Sequence, residues 1–267
     1  MSNLPLYIYE QEEWEQMVLL YDSAIKEIST KLEILNNEFK LSHQYNPIEH
    51  LSSRLKSPES IARKLRRRER EFTVSNIMQY INDVAGIRII CSFTSDIYRI
   101  ADAIARQSDI KIITIKDYIK NPKDNGYMSY HMIVSVPIFL SDRVVDTKVE
   151  IQIRTIAMDF WASLEHKIYY KFEGNAPQGI RAELKECADI VAFLDKKMLS
   201  LNDYVKKFAE QGAVDDIIAE NDVEVISVDP AQTEDGQQAA TEDKTEKSGK
   251  KADNNEKKYR QWRLGSK

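Results

Sequence analysis

The sequence is poor in cysteine and in long apolar runs. Its 267 residues include only two cysteines, Cys91 and Cys187, which is too few for a disulfide framework and suits a reducing compartment. No apolar run approaches the roughly 18 residues that a transmembrane helix needs. The N-terminus also lacks the basic segment and apolar stretch of a secretory signal. These absences predict a cytoplasmic protein with no membrane partner.

Neither sign of charge dominates the sequence. The 38 Lys and Arg residues face 43 Asp and Glu residues, which gives a net charge of −5. This balance argues against a protein that coats DNA or a membrane surface. The hydrophobic share of 42% is enough for a real core, in one large domain or two small ones.

The stretch 144–154 has the pattern of a strand with two different faces. From residue 148 onward apolar and polar residues alternate, Val149, Ile151 and Ile153 against Lys148, Glu150, Gln152 and Arg154. A period of two is the strand period. The plain interpretation is a half-solvated strand with cross-strand ion pairs. An amphipathic helix is predicted directly after it, at 155–172. The polar strand face and the neighbouring helix together favour a binding site for a polar, phosphate-rich ligand, with the strand below the ligand and the helix beside it.

Two long helices are predicted near the ends of the ordered region, at 10–40 and 180–210. Each carries apolar residues at alternating spacings of three and four, which is a heptad stripe. The stripes are Trp14, Val18, Tyr21, Ile25, Ile28, Leu32, Leu35 and Phe39, and Leu184, Cys187, Val191, Leu194, Met198, Leu201, Val205 and Phe208. These helices could pack on each other, on the sheet, or across a subunit boundary.

Shorter elements are predicted between the two long helices. The patterns indicate helices at 74–82 and 95–107 and strands at 85–91, 111–115 and 130–136, with Pro137 ending the last strand. Asn-Pro and Asn-Gly dipeptides mark a polar loop over 116–127.

A basic segment lies inside the folded region rather than in a tail. Its cationic residues are Arg54, Lys56, Arg63, Lys64, Arg66, Arg67, Arg68 and Arg70, and its acids are Glu59 and Glu69. Ser57 and Pro58 predict a helix start, as N-cap and first helical residue. A solvated charged face is the plain interpretation. Concentrated positive charge within a fold also suits a polyanion, either a nucleoside triphosphate or RNA.

The C-terminal stretch has a different composition from the rest. From Asp229 to Lys258 it contains no Leu, Ile, Val, Phe, Met, Tyr or Trp. Such a segment cannot bury enough apolar surface to offset the entropy lost on ordering. We therefore expect residues 227–267 to form a disordered polar tail.

Four motifs, taken in order, resemble the small alarmone synthetases, the single-domain branch of the RelA/SpoT family. They are SRLKSPESIARKL, DVAGIRIIC, IKDYIKNPKDNGYMSYH and VEIQIRTIAMDFWASLEHKIYYK. The resemblance covers residues 45–172 and implies an α+β fold, a nucleotidyltransferase-like mixed sheet flanked by helices. The expected division is an N-terminal helix for packing or oligomerisation at 1–44, a catalytic domain at 45–175, a C-terminal helical region at 176–226, and the tail.

The resemblance also implies an activity. The family transfers the β,γ-pyrophosphate of ATP to the 3′-hydroxyl of GDP or GTP, with Mg²⁺ as cofactor, and forms ppGpp or pppGpp plus AMP. It tends to form homo-oligomers, often tetramers, and an RNA or an alarmone is a candidate regulator. No histidine in the sequence is followed by Asp, so we expect synthesis without the hydrolase activity of the long family members.

Site residues follow from matching the family motifs. Asp83 and Glu150 would hold Mg²⁺, and Glu150 would accept the proton of the 3′-hydroxyl. The ATP set would use arginines around adenine and cations at the phosphates: Arg54, Arg88, Lys56, Lys64 and Arg67. The GDP or GTP set would be led by Tyr127 stacked on guanine: Tyr127, Lys116, Lys123, His131, Gln152 and Asp159.

The sequence departs from the family pattern beside Tyr127. The family commonly has Arg directly after this tyrosine and Leu before the histidine, where this chain has Met128 and Tyr130. The difference bears on the choice between GDP and GTP. Two alternatives remain, an inactive or RNA-binding module on the same fold and a nucleotidyltransferase of another specificity. Two carboxylates in a basic cleft favour the enzyme, because they would repel an RNA backbone.

Overall fold

The structure is a computed structural model that describes residues 8–43, 45–171 and 177–210. All of these residues belong to one compact unit, residues 1–218. The predicted tail at 227–267 and the end of the predicted helical region beyond residue 210 lie outside the described residues. The elements are α1 (Ile8–His43), β1 (Ile48–Leu55), α2 (Pro58–Arg66), α3 (Val74–Tyr80), β2 (Ala85–Cys91), α4 (Thr94–Ala105), β3 (Lys111–Asp117), β4 (Tyr130–Phe139), β5 (Val144–Thr155), α5 (Ile156–Lys171) and α6 (Gln178–Glu210).

A five-stranded mixed sheet forms the centre of the fold, in the order β1-β2-β5-β4-β3. The pair β2 and β5 is parallel, and the remaining neighbours are antiparallel. The predicted α+β class, with a mixed sheet and a long helix near each end, is confirmed.

Strand β5 shows the alternation that its sequence predicts. Val149, Ile151 and Ile153 are fully buried on the face of the sheet that α1 and α4 cover. Glu150 and Gln152 lie on the opposite face and line a cavity. The register places Glu150 beside Gly86 of β2, and Gln152 beside both Arg88 of β2 and His131 of β4. The period-two pattern therefore separates the core from the polar face.

Helix α1 packs on its own sheet, which is one of the three arrangements that its heptad stripe allowed. Ile25 and Leu32 are buried within the chain, Leu32 to 1% exposure, and so are not available for contact with a second subunit. Met17, Leu20 and Ala24 are buried as well, although they lie outside the heptad stripe. The buried face is therefore the broader one of a helix that covers a core.

Helix α6 differs, because one of its faces is buried and the other is exposed. Ala188 and Val191 pack against Trp161 and Ala162 of α5. The outer face carries apolar side chains that are exposed by roughly half or more: Ile190, Phe193, Leu194, Met198, Leu201 and Val205.

Two further differences concern the strands. Strand β1 was not predicted, because its residues are largely exposed and polar and lack a strand period. Strand β4 continues through Pro137 to Phe139 rather than ending at the proline. Pro137 pairs with Asp146 of β5, while the β3 pairing stops at Ser135. The proline therefore has no strand on its other side, and a sheet tolerates proline at such a position.

Within the described part of the chain, no helix is both long enough and apolar enough to span a bilayer.

Candidate functional site

A cavity of about 150 Å³ opens on the polar face of β2 and β5. Its lining comes from β1, β2, β5 and the turn before β2: Ser52, Ser53, Arg54, Asp83, Gly86, Ile87, Arg88, Glu150 and Gln152. Both predicted metal carboxylates, both predicted adenine arginines and Gln152 thus face one space.

Asp83 is held between two lysines from the basic segment. Lys56 Nζ lies 2.9 Å from Asp83 Oδ2, and Lys64 Nζ lies 2.8 Å from Asp83 Oδ1. Lys56 follows β1 directly, and its backbone N–H donates to Val84 O at 2.8 Å. Lys64 lies on α2, which begins at the predicted Ser57 cap. Burial of the Asp83 carboxyl raises its pKa, but the hydrogen bonds and charges of the lysines outweigh burial and hold the pKa below its usual value.

Glu150 accepts contacts at both of its carboxylate oxygens. His131 Nδ1 lies 3.5 Å from Oε1, and Gln152 Nε2 donates to Oε2 at 2.8 Å. Burial raises the pKa of Glu150 and nearby Asp83 adds to that effect, but His131 and Gln152 outweigh both and lower the pKa. Glu150 is therefore an ionised carboxylate at the floor of the cavity.

The predicted ATP set is only partly brought together. Arg54 and Arg88 line the cavity from neighbouring strands. The Nη1 atom of Arg88 lies 3.4 Å from Asp159 Oδ1, and its Nε atom is buried without a hydrogen-bond partner. Burial and the charge of nearby Arg154 lower the pKa of Arg88. Arg67 is exposed at the C-terminal end of α2 and does not line the cavity.

The predicted acceptor residues gather beside the cavity, around the ring of Tyr127. The Tyr127 hydroxyl lies 2.9 Å from His131 Nε2, and the two rings meet edge to face. Lys123 Nζ lies 4.6 Å from the Tyr127 ring centroid and 4.8 Å from that of Tyr118. Burial and the charge of Lys116 lower the pKa of Lys123. Lys116 is exposed on β3, opposite His131.

Arg154 is a site residue that the predicted ATP and acceptor sets did not include, although it lies within the last family motif. Its guanidinium is buried, with 5% exposure, beneath the acceptor residues. It donates to Tyr127 Oη at 2.5 Å, Gln152 Oε1 at 2.9 Å, Asp159 Oδ1 at 3.1 Å and Ser129 Oγ at 3.3 Å. The signal was its place on the polar face of β5, two residues after Gln152.

Helix α6 braces the loop that carries Tyr127. Gly126 adopts a φ of +87°, and a Cβ atom there would lie 2.4 Å from Ala188 Cβ. Tyr127 and Met128 pack against the small apolar cluster that contains Ala188. Thr155, at the end of β5, donates to Asp195 of α6 at 2.6 Å. The predicted acceptor residue Tyr127 thus lies on a loop that packs against α6.

The carboxylates fit a magnesium ion that arrives with its substrate. No group of three or more His, Cys, Asp or Glu side chains suited to a metal occurs among residues 8–43, 45–171 and 177–210. Mg²⁺ commonly takes one or two carboxylates and completes its coordination with phosphate oxygens and water. Asp83 and Glu150 on one cavity match that donor set.

The chain resembles known proteins in sequence. Residues 53–175 match the region found in RelA/SpoT proteins. The GTP pyrophosphokinase YwaC of Bacillus subtilis is 50% identical over 190 residues, which cover 71% of this chain and 90% of that protein.

Solved structures of small alarmone synthetases also resemble the chain. The structure of small alarmone synthetase 2 from B. subtilis has a TM-score of 0.66 and 47% identity, and the match covers 72% of this chain and 99% of that one. Small alarmone synthetase 1 from B. subtilis, bound to its product pppGpp, has a TM-score of 0.67 and 32% identity, with 73% and 98% covered.

Proposed function

The chain belongs to the RelA/SpoT family, in its branch of small alarmone synthetases, and from this premise we propose that it is a GTP pyrophosphokinase. The reaction is transfer of the β,γ-pyrophosphate of ATP to the 3′-hydroxyl of GDP or GTP. The products are ppGpp or pppGpp, and AMP.

One observation carries this proposal. Asp83 and Glu150, from separate elements, face one cavity whose rim carries Arg54 and Arg88. Phosphoryl transfer requires positioning and charge stabilisation more than covalent chemistry by the protein. Paired carboxylates among guanidinium and ammonium groups meet that requirement, and an RNA-binding surface has no use for them.

The lysines change partners when ATP binds. In the structure, Lys56 and Lys64 each bond one oxygen of Asp83. A triphosphate carries more negative charge than the carboxylate, so we expect it to draw both ammonium groups away. Asp83 and Glu150 would then hold Mg²⁺, which, when bound, supplies positive charge to the phosphates. The arginines of the cavity stack on adenine, because a guanidinium can stack and keep its charge.

The acceptor nucleotide binds on the side of Tyr127. Its guanine stacks on the Tyr127 ring, close to the ammonium group of Lys123. Lys116 and Lys123 supply positive charge for the acceptor phosphates. Glu150 takes the 3′-hydroxyl proton, because it is ionised and its oxygens face the cavity between the two half-sites.

Two further properties belong to the proposal. The sequence has no histidine followed by aspartate, so the chain makes the alarmone without hydrolysing it. The chain also forms homo-oligomers, with four subunits as the number expected from the family. The outer face of α6 supports this, since Phe193 is 69% exposed there, and large exposed apolar patches commonly mark interaction sites.

A labelled-substrate experiment tests the proposal. The protein is incubated with ATP labelled in the γ-phosphate, GDP or GTP, and Mg²⁺, and the nucleotides are then separated. Transfer of label to a guanosine tetra- or pentaphosphate, with AMP in equal amount, is the expected result. Label that stays in ATP, while the protein binds single-stranded RNA tightly, would favour the RNA-binding module instead.

A further inference from the structure

A closed ring of polar contacts joins the carboxylate of the donor side to the aromatic ring of the acceptor side. One arm runs from Arg154 Nη2 to Tyr127 Oη at 2.5 Å, on to His131 Nε2 at 2.9 Å, and from His131 Nδ1 to Glu150 Oε1 at 3.5 Å. The other arm runs from the same Arg154 Nη2 to Gln152 Oε1 at 2.9 Å, and from Gln152 Nε2 to Glu150 Oε2 at 2.8 Å.

The direction of the aromatic arm follows from the chemistry of Arg154. A guanidinium can only donate, so the Tyr127 oxygen must accept from it. The phenol proton can then point to His131 Nε2 at 2.9 Å, and Nε2 is the acceptor in that arrangement. In the same arrangement the ring carries a proton on Nδ1, which faces Glu150 Oε1 at 3.5 Å.

The amide arm is fixed in the same way. Because Arg154 donates to the amide of Gln152, the oxygen of that amide must face the guanidinium. Its NH₂ group then faces Glu150 and donates. Both arms therefore end on Glu150 as donors, one to each carboxylate oxygen, which suits an ionised carboxylate that accepts and does not donate.

Arg154 is itself rigidly held. It is 5% exposed, and it also donates to Ser129 Oγ at 3.3 Å and to Asp159 Oδ1 at 3.1 Å. Asp159 supplies the opposite charge that a buried guanidinium requires. The same carboxylate oxygen lies 3.4 Å from Nη1 of Arg88, an arginine of the donor side. The Arg154 guanidinium is therefore held in one position, between Arg88 on the donor side and Tyr127 on the acceptor side.

We propose that Arg154 is a positioning residue for the transfer reaction, which sets the direction of both arms of the ring and so aims Glu150 and Tyr127 at the acceptor. This inference rests on the proposed function. Arg154 is buried, bonds Tyr127 and Gln152 directly, and acts on Glu150 through them and through His131.

The first test uses Arg154→Lys, which keeps the charge and removes the fork that reaches several acceptors at once. We expect kcat to fall and the acceptor KM to rise, each about tenfold or more, since charge-assisted hydrogen bonds are lost. The donor KM should stay within about twofold of wild type. The matched control is Arg143→Lys, because Arg143 is exposed and pairs only with its neighbour Asp142 in the contacts described.

A double-mutant cycle separates positioning from general stability. Tyr127→Phe removes one oxygen and keeps the stacking ring. If Arg154 acts through that oxygen, Arg154→Lys should cost less in the Phe background than in wild type. If the loss in kcat of the double variant equals the product of the losses in the two single variants, the proposal is overturned. Equal changes in the donor KM and the acceptor KM would overturn it as well.

The tautomer of His131 gives a readout without catalysis. In protein with ¹⁵N-labelled histidine, free of nucleotide, we expect wild-type His131 to carry its proton on Nδ1. Tyr127→Phe and Arg154→Lys should each populate the other tautomer. Wild-type His131 protonated on Nε2, or no change in Tyr127→Phe, would contradict the proposal. A protein that shows the expected tautomer but makes no alarmone would refute the proposed function and leave the ring intact.

Discussion

The contact between the acceptor loop and α6 can be tested with one methyl group. Gly126 has a φ of +87°, and a Cβ atom at this position would lie 2.4 Å from Ala188 Cβ. Carbon atoms in contact prefer about 3.5–4.0 Å, so Gly126→Ala must displace the loop or the helix by about 1 Å. The displaced loop carries Tyr127 and Lys123, so binding of the acceptor nucleotide should weaken before binding of ATP.

The expected size of the effect has two parts. Alanine in the left-handed region costs about 1–2 kcal/mol, and overpacking a filled site costs about 1–3 kcal/mol. The sum is about 2–5 kcal/mol, and each 1.4 kcal/mol corresponds to a factor of about ten in binding. Since the loop can relax, we expect Gly126→Ala to raise the acceptor KM by at least about tenfold and to leave the donor KM nearly unchanged.

A second substitution separates the two parts. Ala188→Gly removes the atom that the new methyl group would meet most closely. In Gly126→Ala/Ala188→Gly the φ cost remains, together with a 3.2 Å approach to the flexible Lys185 side chain, which can move away. The acceptor KM should then fall about tenfold from its value in Gly126→Ala, even though glycine within α6 lowers thermal stability by about 1 kcal/mol. Gly179→Ala is the control, because a Cβ atom there meets nothing within 4 Å. No recovery in the double variant would show that α6 does not support the loop.

Three further predictions concern the base, the stacking ring and the assembly. Glu150→Gln should abolish synthesis and leave binding of a non-hydrolysable ATP analogue largely intact in calorimetry, and full turnover would exclude Glu150 as the base. Tyr127→Ala should raise the KM for GDP or GTP but not for ATP, because a stacked base contributes about 1–3 kcal/mol. Its control is Phe139→Ala, at a residue 77% exposed at the end of β4, and equal effects on both substrates would exclude Tyr127 as the guanine platform. Leu194→Glu with Leu201→Glu should convert a light-scattering mass that is a multiple of 30.9 kDa into the single-chain mass, whereas Phe139→Glu should not, and an unmodified chain that already runs as a monomer would refute the assembly.

Sequence patterns predicted what depends on residues close together in the chain. The alternation of β5, the Ser57 cap of α2 and the glycine-bearing loop before Tyr127 follow from local rules, and the structure has all three. The family motifs then named both carboxylates that share the cavity.

Features that depend on tertiary packing could not be predicted in this way. The heptad stripe of α1 could pack on another helix or on a sheet, and the sequence alone does not distinguish the two. The structure shows that Leu32 is buried and that α1 packs on the sheet. In the sequence, Arg154 is one charged residue on a polar strand face. Its role could not be predicted, because its partners Tyr127 and Asp159 lie on other elements. Strand β1 has few apolar residues, since it lies at the edge of the sheet, and its register comes from β2 rather than from its own pattern.

The departure at Met128 has a structural counterpart that bears on acceptor choice. Met128 packs against both the main core and the small α6 cluster, so its side chain joins the acceptor loop to two apolar bodies. An arginine at this position would have to place a guanidinium among those apolar groups or leave the packing.

Arg154 is buried and is bonded within the ring of polar contacts described above. In the proposed acceptor site, positive charge for the phosphates would therefore come from Lys116 and Lys123, whose ammonium groups are flexible point charges rather than a planar fork. Point charges fix the geometry of a bound phosphate less strictly than a bidentate arginine does. We therefore expect this chain to discriminate between GDP and GTP less sharply than a relative that carries arginine there.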